Sequence, residues 1–172
     1  MAAFVARMSR LWRHRWADEA DVRRALPADA MERLGRRVAA SERRHTGQIR
    51  ICVEAGLPTS YLMRHAPARE RAVMLFGKLR VWDTEQNNGV LVYLLLAEHA
   101  IEIVADRGID RHVDAADWAA MAGRMGAAFR ENRFEDGVTQ ALEEVSALLV
   151  TYFPRDESML TDNELPDSPV VL

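Results

Sequence analysis

Residues 90–97 read Val-Leu-Val-Tyr-Leu-Leu-Leu-Ala, apolar at every position, and no other stretch of the chain narrows the choice of fold as much. A strand with one wet face alternates polar and apolar residues. A strand apolar on both faces needs a packed layer on each side of its sheet. Asn88-Gly89 immediately before it is a turn signal, so the strand has a defined start. Glu98-His99 then leads into Ile101–Ala105, and the two runs pair as an antiparallel hairpin. Upstream, Gln48–Glu54 alternates Ile49, Ile51 and Val53 with Arg50, Cys52 and Glu54, which predicts another strand.

Helical periodicity fills the intervals. Pro27 opens a helix from about Ala28 to Arg44 that faces Leu34, Val38 and either Ser41 or Ala40 inward. Ala68–Arg80 places Ala72, Leu75, Phe76 and Leu79 on one side. Asp114 reads as an N-cap before Trp118, Met121, Ala122, Met125 and Phe129. The last helix, Phe134–Tyr152, is expected to bury Phe134, Val138, Ala141, Leu142, Val145, Leu149 and Tyr152 at helical spacing. The expected fold class is α/β, a three-layer αβα sandwich with a small mixed sheet, a β-α-β-β core flanked by helices. The chain divides into a basic N-terminal helical segment over 1–27, an α/β domain over 28–154 and an acidic, flexible tail over 155–172 whose apolar end, Val170-Val171-Leu172, is suited to docking on the domain.

The N-terminal segment carries Arg7, Arg10, Arg13 and Arg15 without an acid, and sets Phe4, Met8, Leu11, Trp12 and Trp16 near one helical face. Such a stripe suits docking onto the domain, or contact with a protein partner or a membrane surface, and Trp12 and Trp16 are the candidate partner-binding residues. A net charge of −3 lacks the basic excess of a nucleic-acid binder. The single cysteine, Cys52, excludes an internal disulfide and, with no signal-peptide core or membrane-length apolar run, points to a cytoplasmic protein. The five histidines show no zinc spacing, and no P-loop, dinucleotide fingerprint or nucleophile elbow occurs.

Topology brings chemistry to two sheet edges. The loops before the parallel strands and after the third gather Asp83, Glu85, Asp106 and Asp110, a set of hard oxygens of the kind Ca²⁺ or Mg²⁺ prefers. Arg107 beside them would meet a phosphate or other anion. At the opposite edge, Glu54, Glu98 and His99 form a second candidate polar cluster.

From His45 to Pro154 the chain resembles the TPM domain family. The likeness rests on Gly47-Gln48-Ile49-Arg50-Ile51, on Asn87-Asn88-Gly89 with the following apolar strand, and on the run from Glu98 to Asp110 containing Ile101-Glu102-Ile103 and Arg107-Gly108-Ile109-Asp110. The resemblance implies an αβα sandwich, an association with metal binding, and roles from acid phosphatase to photosystem repair and receptor accessory. Glu98-His99 stands where the family has an acid followed by Arg, and Asp106 replaces the first of two glycines. The expected function is therefore a cytoplasmic binding or accessory module with a divalent-metal site at the acidic edge. The alternative is a metal-dependent phosphatase acting on phosphate esters.

Overall fold

A computed structural model describes residues 2–156 and 163–172. Its order is α1 (Ala2–Trp16), α2 (Glu19–Ala25), α3 (Ala28–Glu42), β1 (Gln48–Glu54), α4 (Thr59–Met63), α5 (Ala68–Lys78), β2 (Gly89–Leu95), β3 (Ala100–Ala105), α6 (Arg107–Asp110), α7 (Ala115–Arg130), α8 (Phe134–Tyr152) and β4 (Val170–Val171). The sheet runs β3-β2-β1-β4. Cys52 faces Tyr93 across the parallel β1–β2 ladder, and Val92 faces Ile103 across the antiparallel β2–β3 ladder.

Strand alternation sorts the core into two compartments. Ile49, Ile51, Val53, Val90, Val92 and Leu94 join Leu34, Val38, Met125, Phe129, Val145 and Leu149 beneath α3, α7 and α8. Cys52, Leu91, Tyr93 and Leu95 face the other way, onto Leu62, Ala72, Leu75 and Leu165. All seven residues of β2 are buried, as a central strand covered on both sides requires. Each Leu, Ile or Val so buried is worth about 1.5–3 kcal/mol over exposure.

Four features correct or refine the sequence reading. A separate short helix, α2, stands before Pro27, closed by a capping box in which Asp18 and Asp21 satisfy each other's backbone donors. The loop expected at 55–66 contains α4. The β2–β3 connection is a 3₁₀ turn, Leu96–Glu98, closed by His99 at φ 48°. Of the segment read as a tail, residues 163–172 pack along β1 and supply β4, which pairs in parallel with Cys52 and Val53.

Candidate functional site

The acidic loop edge lies where β2 begins and β3 leaves the sheet, and close backbone packing builds it. A Cβ on Gly89 would lie 1.9 Å from the Val81 carbonyl oxygen, and one on Gly108 would lie 2.2 Å from that of Asn87. Only glycine admits these approaches. Asp106 caps α6 by accepting the Arg107 amide at 2.7 Å through Oδ1. Its Oδ2 is buried and unpartnered, as is Oδ1 of the fully buried Asn88. Asn88 donates through Nδ2 to Thr46 Oγ1 at 3.3 Å, and its amide bonds Thr84 Oγ1 at 3.1 Å.

The four candidate carboxylates do not converge. Asp83 is exposed and ion-paired with Arg80. Glu85 is exposed, and its amide donates to Glu164 Oε2 at 2.9 Å. Asp110 is exposed within α6. Among the described residues no three His, Cys, Asp or Glu side chains form a group able to hold a metal ion. Arg107 is exposed and turned to Asn87, donating to its Oδ1 from Nε at 3.3 Å and Nη2 at 3.1 Å. At this edge Asp106 and Asn88 each keep one buried oxygen without a partner. The sequence signal for Asn88 was hidden in a dipeptide that also reads as a turn.

The opposite edge also separates its candidates. Glu54 is buried, accepting from Arg71 Nε at 2.9 Å and from the Tyr93 hydroxyl at 2.7 Å. Burial, then the charge of Glu54, push the Tyr93 phenol up. Cys52 beside it is pushed up to about 12, chiefly by desolvation, so it is a packing thiol and not a nucleophile. His99 donates from Nδ1 to the Phe129 carbonyl at 2.9 Å, tying the tight turn to α7. Glu98 turns instead to α1, where Arg10 Nε donates to its Oε1 at 2.6 Å and His14 Nε2 at 2.9 Å. These two bonds, that from His14 foremost, hold the Glu98 carboxyl below its ordinary range.

That latch determines which face of α1 is displayed. The stripe divides: half-buried Leu11 faces the domain beside the buried His14, which satisfies two partners that no tryptophan could. Trp12 and Trp16 point outward, 55% and 72% exposed, their rings stacked at 6.3 Å between centroids. Met8 continues the stripe one turn earlier, also exposed. A groove flanks each side of this ridge. One, of about 670 Å³, is lined by Trp16, Arg13, Arg24, Leu96, His99 and Phe134 among others. The other, of about 510 Å³, lies under Trp12 and Arg15 against Leu57, Pro58 and Leu62. Phe4, placed on the same stripe in sequence, lies outside the described side chains.

Among the described residues no helix is long and apolar enough to cross a membrane. No curated protein matches the chain. Its fold is similar to the solution structure of BA42 from the psychrophilic bacterium Bizionia argentinensis, at 23% identity and TM-score 0.73, covering 86% of this chain and 95% of that one. It is also similar to the N-terminal domain of a Porphyromonas gingivalis (P.gingivalis) protein, at 16% identity and TM-score 0.58, covering 77% and 83%. Both likenesses concern the fold. Residues 20–148, three quarters of the sequence, match the family described as TPM domain, and the chain belongs to that family.

Proposed function

We propose that this TPM domain is a binding module whose α1 ridge engages a protein segment carrying an apolar anchor flanked by acidic residues. The observation behind this reading is the stacked, outward Trp12–Trp16 pair on a helix whose other face is latched to the domain. Large exposed aromatics are the usual anchors of protein interfaces. The grooves on either side suit side chains of a partner better than the flat surface of a bilayer. Arg13 and Arg15 border them without acidic partners among the described residues, which favours negative charge opposite.

Selection of peptides from a random displayed library against the full chain tests the reading. Recovered sequences are expected to combine Asp or Glu with Leu, Phe or Trp. They should lose binding to Trp12→Ala/Trp16→Ala while that variant keeps its unfolding midpoint. Peptides indifferent to the double substitution refute it, and tight binding to anionic vesicles alone would make the ridge a membrane contact.

A second reading, a Ca²⁺ or Mg²⁺ site at Asp106 and Asn88, rests on their two buried, unpartnered oxygens. These are hard donors, though few, and the remaining coordination would come from water or backbone carbonyls. A phosphatase role would need Arg107 to meet the anion, whereas its guanidinium is engaged by Asn87, so only the cation is carried forward. Thermal unfolding with Ca²⁺, Mg²⁺ and Mn²⁺ against chelator decides it. A rise in midpoint that Asp106→Asn removes supports the site, and no shift with any ion ends it.

A further inference from the structure

The outer edge of β1 is read almost entirely through main-chain atoms. Gln48 Oε1 accepts the amides of Glu164 and Leu165, both at 3.0 Å. Arg50 Nη1 donates to the carbonyls of Pro166 and Ser168, the latter at 2.8 Å. Farther along, the Leu172 amide donates to the Val53 carbonyl at 2.9 Å beside the two-residue β4 ladder. Asp167, Ser168 and Pro169 lie against Gly35 of α3. One side chain anchors the segment deeply, Leu165, buried in the compartment of Leu75 and Tyr93. Two polar residues reading backbone, an open strand edge and a single apolar socket are the elements of a strand-addition site for an extended peptide.

We infer that this edge is such a site and that its occupant exchanges between copies: segment 163–172 of a second chain takes the place of the chain's own. The occupant is set by what the edge already holds, since every bond above forms identically within one chain or between two. The near end is fixed at Arg155, whose amide donates to the Arg44 carbonyl at 3.1 Å. The eight residue steps from there to Asn163 can reach about 27 Å when extended, enough to cross to a neighbouring copy. The inference does not depend on the α1 ridge or on a cation.

A complementation experiment with two full-length variants tests it. Leu165→Asp/Leu172→Pro loses the anchor and the terminal ladder bond but keeps Gln48 and Arg50. Arg50→Glu keeps an intact segment but damages the edge. Mixed, the two are expected to form a heterodimer in sedimentation velocity, at least about tenfold tighter than either variant with itself. A synthetic peptide of residues 163–172 should dissociate it. If both variants are folded by circular dichroism and no heterodimer forms, the edge closes only within one chain and the inference is overturned. If the double variant fails to fold, the wild type is measured instead: a dimer fraction that rises with concentration and falls with added peptide supports exchange. A wild type that stays monomeric and takes up no peptide overturns it.

Discussion

The Leu57 amide donates to His14 Nδ1 at 2.9 Å, which fixes the imidazole tautomer. With Nδ1 accepting, the ring proton sits on Nε2 and is donated to Glu98. One histidine therefore joins α1 to two separate loops. His14→Ala strands a buried amide and is expected to cost about 1–3 kcal/mol in denaturant unfolding. It should also free α1, read as increased protease cleavage near Trp16. Equal stability would show that the latch holds nothing.

Two buried titrating groups give the stability curve a maximum. Glu42, desolvated and close to Asp167, has its carboxyl pushed up to about 8. Its folded value lies above the unfolded one, so its contribution is full below about pH 4.5 and is lost as pH rises through 8. His45, desolvated beneath α3, is pushed down to about 4. Its contribution is present above about pH 6.5 and is lost as pH falls through 4. The two slopes offset each other between about pH 4.5 and 6.5, so stability should be highest across that window, and Glu42→Gln should flatten the alkaline arm, by up to about 5 kcal/mol at pH 9. An unchanged alkaline slope in that variant would contradict the assignment.

Glu54→Ala should cost more than Tyr93→Phe. The first leaves Arg71, whose side chain is 12% exposed, as a poorly compensated charge, for which about 3 kcal/mol is expected. The second removes one bond to a carboxylate, about 1.5–3 kcal/mol, and leaves the ion pair intact. Urea midpoints of the two variants at pH 7 make the comparison.

Glycine substitutions should divide by position. Gly89→Ala and Gly108→Ala push a methyl into backbone oxygens and are expected to cost about 3 kcal/mol or prevent folding. Gly123→Ala in α7 meets nothing within 4 Å and should gain about 0.5–1 kcal/mol of helix propensity. Thermal midpoints measured together would expose any reversal of sign.

The sheet was legible because its strands carry their environment in their periodicity. Gln48–Glu54 and Phe134–Tyr152 were expected at the bounds the structure has. Elements with few apolar residues, α2, α4 and α6, were missed, since a one- or two-turn helix has too short a period to read. The site was less legible. Acidic loop residues look alike in sequence, but Asp83 has an arginine neighbour and Asp106 has a buried oxygen with none. The sequence left the orientation of α1 open between docking and display, because hydrophobicity favours burying Trp12 and Trp16, whereas His14 and Arg10 gain directed bonds to Glu98 by facing inward.

The pairing of Cys52 with Val170 also bears on how the chain folds. Helices α3, α5, α7 and α8 and the β2–β3 hairpin form from neighbours, but this ladder closes across more than a hundred residues for two strand positions. Loop closure of that length brings little return until everything between is in place. The outer edge of β1 is therefore among the last parts to be covered. A chain caught just before that step presents a row of unsatisfied amides and carbonyls beside an empty leucine socket, so aggregation during refolding should begin there, and free peptide 163–172 should suppress it.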